Sequence, residues 1–182
     1  IERLWSHQDS DISQVLLIMC YSGYRIGELK VIKTDLKKCF FSGGLKTKTS
    51  KDRIVPIHSA IYPIVKKRIR KYGEIMPLSD VKFRELMKPY IKSIGIGEHT
   101  PHDCRHTFSS LCEKYEVKEN DRKRMLGHKF MDVTNEVYGH RALEDLRKEI
   151  EKIPCLKCVE NGTLKSSQKE QIFEIIQDKK MA

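Results

Sequence analysis

The sequence has 182 residues, enough for one folded domain with an appendage, and its 39% hydrophobic and 33% charged residues are typical of an ordinary soluble protein. It contains no apolar run of membrane-spanning length, and its first residues lack the basic and apolar regions of a secretion signal. The net charge of +10 favours polyanionic partners.

The six cysteines are dispersed, and Cys155 and Cys158 are the one close pair. A zinc ribbon would need further ligands at a suitable spacing, and none follows Cys158. Dispersed cysteines favour reduced thiols over a disulfide framework. We therefore expect no bound metal and a reducing, cytoplasmic environment.

The first predicted helix carries apolar residues at helical spacing from Ile12 to Met19 and ends at Gly23. A short helix over residues 26–30 follows, which places Arg25 at the junction of two helices. Irregular backbone at a junction can direct a side chain into a cleft. The alternative is an arginine at the surface.

Residues 39–57 predict a small antiparallel sheet, because short β-branched or aromatic segments at 39–41, 45–50 and 53–57 are separated by turn residues. Lys46 and Lys48 are two residues apart in the middle segment, so they project from one face. Both would then point towards the same neighbouring group. The alternative is a pair of solvated lysines that protects an edge strand from pairing with another chain.

Four further segments have apolar stripes at helical spacing, at residues 61–69, 83–94, 108–115 and 143–153. After Pro154 the composition becomes polar, as in a linker, and a last short stripe at 172–176 predicts a tail helix too short to be stable alone.

The predicted fold class is α+β, mainly α: a helical domain with a small three-stranded antiparallel sheet at one side. We divide the chain into a domain at 1–153 and a linker with a C-terminal tail helix at 154–182.

The helix that contains the third stripe begins at clear capping signals. Thr100 is a good N-cap, Pro101 suits the first helical position, and Asp103 can complete a capping box. His102 and Arg105 therefore lie three residues apart on one face of the first turns. Free backbone N–H groups and the helix dipole make this end an anion site.

The arginines, histidines and lysines singled out above, together with a tyrosine, have the chemistry that a phosphodiester reaction needs. Guanidinium groups can meet the negative charge that develops on the phosphate without a metal ion. A nucleophile and a proton donor for the leaving oxygen complete the requirement. Tyr138, ten residues after His128, is the candidate nucleophile, although any one of the seven tyrosines could equally be a half-buried aromatic.

Four motifs, in order, resemble those of the tyrosine recombinases, the phage-integrase-like site-specific DNA recombinases. Residues 21–29, with an arginine after a glycine-containing turn and Glu-Leu three residues later, are similar to the first box of the family. Residues 100–108 resemble the His-x-x-Arg box and residues 126–128 the third element, and Tyr138 follows at the usual spacing. The resemblance covers about residues 5–150.

The resemblance implies roles for particular residues. Arg25, His102, Arg105 and His128 would bind and polarise the scissile phosphate, and Tyr138 would attack it to form a 3′-phosphotyrosine linkage. No metal, cofactor or ATP would be required.

A lysine on the β-hairpin of the family protonates the leaving oxygen. Counting back from residues 53–56 favours Lys48, whereas residues 43–47 resemble a subgroup in which Lys46 has this role. Both alternatives stay open.

The resemblance also implies double-stranded DNA as the substrate and a tetramer assembled on it from a protein that is monomeric or weakly associated when free. We expect a bacterial or phage-encoded enzyme of a mobile element. Because the sequence does not begin with Met, we expect the N-terminal core-binding domain of such recombinases to be missing. The alternatives are a type IB topoisomerase and a non-catalytic DNA-binding module.

Overall fold

The computed structural model of the chain describes residues 1–45, 53–128 and 143–158. These residues form seven α-helices and one small sheet. The helices are α1 (Glu2–Ser6), α2 (Asp11–Ser22), α3 (Tyr62–Tyr72), α4 (Asp80–Ser93), α5 (Pro101–Lys114), α6 (Glu119–Leu126) and α7 (Leu143–Ile150). Short 3₁₀ helices cover Ile26–Lys30, Ser59–Ile61 and Leu156–Cys158.

Helix α2 is the central element of the core. At its start the Ser10 side chain accepts a hydrogen bond from the backbone N–H of Ile12. At its end Gly23 adopts the left-handed conformation with φ 68°. Residues 13–22 are all buried, because α1, α3, α4 and α5 pack around them. The predicted helix that ends at Gly23 is confirmed.

The sheet consists of β1 (Lys33–Asp35), β2 (Phe40–Ser42) and β3 (Ile54–Pro56), antiparallel and in the order β1-β2-β3. Phe41 pairs with Val55, and both are fully buried. One face of the sheet therefore packs against the helical core.

The membership of the sheet differs from the prediction. Strands β2 and β3 correspond to the predicted segments at 39–41 and 53–57. Strand β1 is missed by the sequence pattern, because it is only three residues long and polar and depends on pairing with β2. The predicted middle strand at 45–50 lies outside the described residues, apart from Leu45 in a bend.

Three of the predicted helical stripes are confirmed as α3, α4 and α5. The fourth predicts a helix through Ile153, but α7 ends at Ile150. Ile153 is nevertheless only 1% exposed, so it belongs to the core from a turn rather than from the helix. Helices α1 and α6 are not predicted.

The predicted fold class is confirmed: the domain is mainly helical, with a small three-stranded antiparallel sheet. Residues 154–158 pack on the domain, where the Tyr21 hydroxyl donates to the Pro154 carbonyl at 3.2 Å and accepts from the Leu156 backbone N–H at 3.0 Å. The tail helix predicted at 172–176 lies outside the described residues. Among the described helices, none is long and apolar enough to cross a membrane.

Candidate active site

Arg25 lies where α2 gives way to the 3₁₀ helix. After the left-handed turn at Gly23 the chain is extended at Arg25, with φ −78° and ψ 153°. Its backbone N–H donates to Oε2 of Glu28 at 2.8 Å, and its Nη1 lies 3.5 Å from Oε1 of the same carboxylate. The side chain is 34% exposed. Its backbone is therefore anchored, while the guanidinium remains accessible from the cleft.

Arg105, in the second turn of α5, is buried and held by main-chain oxygens. Its Nη1 donates to the Gly23 carbonyl at 2.7 Å, and its Nη2 donates to the Leu126 carbonyl at 2.6 Å. Burial, followed by the positive charges of Arg25 and Arg53, lowers the pKa of Arg105 to about 10. The guanidinium therefore remains protonated at neutral pH, poised to bind an anion.

His128 follows the glycine that ends α6 and contacts Arg105 directly. Its Nε2 lies 3.1 Å from Nη2 of Arg105, which can only donate. Nε2 is therefore the acceptor, and in the neutral ring the proton is on Nδ1. Partial burial, then the charges of Arg105 and Arg25, lowers the pKa of His128 below its ordinary value of 6.5. The ring is neutral at pH 7.

His102 lies at the start of α5, where the predicted capping box is confirmed: Thr100 and Asp103 exchange the side-chain and backbone hydrogen bonds. Its ring is perpendicular to that of His106, with 4.7 Å between the ring centres. Partial burial, then the charges of His106, Arg105 and Arg25, lowers the pKa of His102. His102 is nevertheless an exposed residue, so its side chain is available to an incoming group.

A pocket of about 220 Å³ opens beside Arg25. It is also lined by His102 from α5, by Leu45 from the bend that follows β2, and by Asp80 and Arg84 from α4. The pocket is therefore lined by residues of the first two sequence motifs, Arg25 and His102, and by Leu45, which directly precedes Lys46.

Glu28 and Arg53 form a buried ion pair behind these groups. Arg53 donates from Nη2 to Oε2 of Glu28 at 2.7 Å, and both side chains are 1% exposed. Its Nη1 donates to the Leu126 carbonyl at 2.9 Å, and its guanidinium carbon lies 4.0 Å from the centre of the Tyr24 ring. The structure thus places Glu28 between Arg53 and Arg25, in contact with both.

The role of Arg53 is not visible in the sequence motifs. A signal does exist, because Arg53 shares the buried face of its segment with Val55 and Ile57, at the alternation expected of a strand. An arginine in line with two core residues indicates a buried charge with a specific partner.

The structure brings four of the predicted site residues together: Arg25, His102, Arg105 and His128. The other three, Lys46, Lys48 and Tyr138, lie outside the described residues. Within the described ranges, groups of three or more His, Cys, Asp or Glu side chains that could hold a metal ion are absent. Two arginines and two histidines at one cleft of a mainly helical domain have the charge and the hydrogen-bond donors that an anionic group requires.

Comparison with known proteins identifies the family. Residues 2–144 match the model of the phage integrase family. The chain belongs to this family, which confirms the resemblance seen in the motifs.

Named relatives are consistent with this assignment. Tyrosine recombinase XerA of Pyrococcus horikoshii is 25% identical, over 89% of this chain and 62% of that protein. The integrase of Escherichia phage P2 is 30% identical, over 82% of this chain and 44% of that protein. The chain therefore spans less than two thirds of the length of these relatives.

A solved structure has the same fold. The integrase from mycobacterium phage Brujita superimposes with a TM-score of 0.61 at 18% sequence identity, over 89% of this chain and 56% of that one. The likeness extends through nearly the whole of the chain.

Proposed function

We propose that residues 1–153 are the catalytic part of a site-specific DNA recombinase that cleaves and rejoins double-stranded DNA through a 3′-phosphotyrosine at Tyr138. The observation that carries the proposal is the meeting of four residues from three separate motifs at one cleft: Arg25, His102, Arg105 and His128. The charges of Arg25 and Arg105 reach both histidines.

The cluster supplies what the transition state of phosphoryl transfer demands. Negative charge grows on the phosphate oxygens as the nucleophile approaches, and fixed donors in a partly dry site stabilise it strongly. Arg105 is held by the Gly23 and Leu126 carbonyls, so it needs little reorganisation when the phosphate arrives. Arg25 adds a second guanidinium from the accessible side.

The other six tyrosines are poorly suited to be the nucleophile. Tyr21 and Tyr24 are fully buried, and burial raises the pKa of each to about 12. The hydroxyls of Tyr62, Tyr72 and Tyr90 bond to Leu36, Asp11 and Ser13, respectively. Tyr115 is a half-buried residue at the far end of α5. These placements favour Tyr138.

The proposed reaction balances without a cofactor. A bond forms between the Tyr138 oxygen and phosphorus as the bond from phosphorus to the 5′-oxygen breaks. The neutral ring of His102 accepts the phenol proton, and Lys46 or Lys48 protonates the leaving oxygen. Attack by a 5′-hydroxyl of a partner strand reverses these steps and joins the DNA.

Two described residues favour the lysine assignment. Leu45 lines the pocket beside Arg25, and Arg53 bonds to Glu28. Both ends of the segment that carries Lys46 and Lys48 therefore lie at the site.

The partners follow from the same proposal. The net charge of +10 suits a protein that neutralises backbone phosphates of double-stranded DNA. Recombination of two duplexes breaks four strands, and each protomer supplies one nucleophile. We therefore propose a tetramer assembled on DNA from protomers that are monomeric or weakly associated when free. A bacterial or phage mobile element, with the enzyme in the cytoplasm, is the setting that we propose.

Covalent trapping tests the function. A pool of nicked duplexes with a randomised central segment, incubated with the protein, should give a DNA adduct that survives denaturation, because the short fragment beyond the nick diffuses away. Sequencing the trapped DNA would identify the site.

The adduct should disappear in Tyr138→Phe and persist in the control Tyr115→Phe. An adduct that persists in Tyr138→Phe would refute the nucleophile. DNA binding without any wild-type adduct would indicate a non-catalytic module, and relaxation of plasmid by single protomers without joining of two duplexes would indicate a topoisomerase.

A sulfur substitution separates the two lysines. A duplex with sulfur in place of the bridging 5′-oxygen releases a thiolate, and because thiols have a pKa of about 8.5 this group leaves without a proton. The variant that lacks the acid, Lys46→Ala or Lys48→Ala, should therefore cleave ordinary DNA slowly and the sulfur duplex at the wild-type rate. Slow cleavage of both duplexes would exclude that lysine as the acid.

A further inference from the structure

We propose that Arg53 is a positioning residue for strand cleavage, whose buried guanidinium holds the two arginines of the phosphate cluster in place at once. The inference rests on the proposed function. It assigns a role to a side chain that lies behind the cleft and outside the four motifs.

Arg53 is connected to Arg25 through one shared acceptor, a carboxylate oxygen of Glu28. Its Nη2 bonds to Oε2 of Glu28 at 2.7 Å, and that same oxygen accepts the backbone N–H of Arg25 at 2.8 Å. Displacement of Glu28 would therefore release the turn that carries Arg25.

The other branch leads to Arg105. Nη1 of Arg53 bonds to the Leu126 carbonyl at 2.9 Å, and the same carbonyl accepts from Nη2 of Arg105 at 2.6 Å. The two guanidinium groups therefore share one acceptor at the end of α6. Since His128 also contacts Nη2 of Arg105, this branch sets the geometry of a histidine as well.

Arg53 also decides how Glu28 interacts with Arg25. The carboxylate is 2.7 Å from Arg53 but 3.5 Å from the guanidinium of Arg25. Without Arg53, a carboxylate that is 1% exposed would lose the cation at 2.7 Å, and its attraction for the guanidinium of Arg25, 3.5 Å away, would increase. Arg25 would then be drawn towards Glu28 and away from the DNA phosphate. Arg53 thus keeps Arg25 available.

A purely structural role is the competing explanation, and the chain contains a matched control for it. Arg68 is equally buried, at 2% side-chain exposure, and pairs with Asp11 at 3.1 Å. It also bonds to the Ile75 carbonyl at 2.6 Å, and its guanidinium carbon lies 5.0 Å from the centre of the Tyr72 ring.

The two arginines differ in their distance from the site. Arg68 contacts the first turn of α2, whereas the cluster lies beyond its last turn. The 12 residues of α2 span about 18 Å, so Arg68 is remote from the phosphate cluster.

The experiment compares Arg53→Met with Arg68→Met. Both variants lose stability, so cleavage is measured on the folded fraction, in single-turnover reactions at saturating concentrations of the nicked duplex selected by the wild type. We expect Arg53→Met to cleave about 10- to 100-fold more slowly, because small misplacements of catalytic groups have effects of this size. Arg68→Met should cleave at the wild-type rate, and the DNA affinity of both should stay within about threefold of wild type.

Equal cleavage rates for the two variants would overturn the proposal. If the methionine variants do not fold, Arg53→Lys and Arg68→Lys provide the same comparison, because lysine keeps the charge but cannot reproduce the forked bonds to Glu28 and Leu126. Equal rates in that pair would also overturn it.

Failure of the proposed function is recognised separately. If the wild-type protein forms no adduct, the proposed recombinase function is refuted. The positioning role of Arg53 is then tested by titrating each variant with inorganic phosphate and following the phosphate cluster by NMR. Weaker phosphate binding in Arg53→Met than in Arg68→Met would support the positioning role, and equal binding would refute it.

Discussion

Gly23 connects the stability of the fold to the geometry of the site, and Gly23→Ala tests that connection. The residue is left-handed, with φ 68°, and a β-carbon there would lie 2.5 Å from Cδ1 of Phe108 and 2.9 Å from Cδ2 of Leu126. Alanine in this conformation costs about 1–2 kcal/mol. Overpacking against two buried side chains adds about 1–3 kcal/mol.

The expected loss of unfolding free energy is therefore roughly 2–5 kcal/mol, a large part of the stability of an ordinary domain. For a domain of this size it corresponds to a decrease in Tm of roughly 4–20 °C. Chemical and thermal denaturation measure it. Gly73→Ala is the matched control, because Gly73 has φ 74° but its β-carbon would meet none of the described atoms within 4 Å.

Gly73→Ala should cost only the conformational part, about 1–2 kcal/mol. If Gly23→Ala costs no more than Gly73→Ala, the packing argument is refuted. The folded Gly23→Ala protein should also cleave DNA more slowly than Gly73→Ala, because the Gly23 carbonyl accepts from Arg105.

Two further predictions concern charges at the site. Glu28→Gln removes a buried carboxylate that pairs with Arg53, so we expect the free energy of unfolding, measured by urea denaturation, to fall by about 3–5 kcal/mol. The control Glu119→Gln, which removes an exposed ion pair on α6, should leave the denaturation midpoint nearly unchanged. Equal effects of the two substitutions would contradict the burial argument. NMR titration should give His128 and His102 midpoints below 6.5. Because the unfolded chain binds these protons first, stability should decrease as pH falls through 6.5, and midpoints at or above 6.5 would refute the electrostatic account.

Local signals predicted the elements that carry the motifs. The stripe that ends at Gly23 and the capping residues Thr100 and Asp103 concern interactions within a few residues of the chain, so α2 and α5 can be recognised without tertiary information. The placement of Arg25 at the junction after α2 follows from the same signals.

The missed elements depend on distant contacts. Strand β1 is Lys-Thr-Asp and becomes a strand through its pairing with β2. Helix α6 buries only Asp121, Met125 and Leu126, too few apolar residues for a helical stripe.

Arg53 was missed as part of the site for the same reason. Its partners, Glu28 and Leu126, are 25 and 73 residues away along the chain. Local sequence patterns show on which face of a helix or strand a residue lies. Which charged side chains form an ion pair, as Arg53 and Glu28 do, depends on contacts between distant parts of the chain.

The carbonyls that hold Arg105 have a consequence for how this site changes during evolution. A main-chain oxygen is present whatever residue occupies the position, so Leu126 can be exchanged for another apolar residue while its hydrogen bonds to Arg105 and Arg53 remain. The arrangement is inherited with the path of the backbone rather than with a particular side chain. Co-variation between pairs of residues, which reports side-chain contacts, would therefore pass over this connection even among distant descendants.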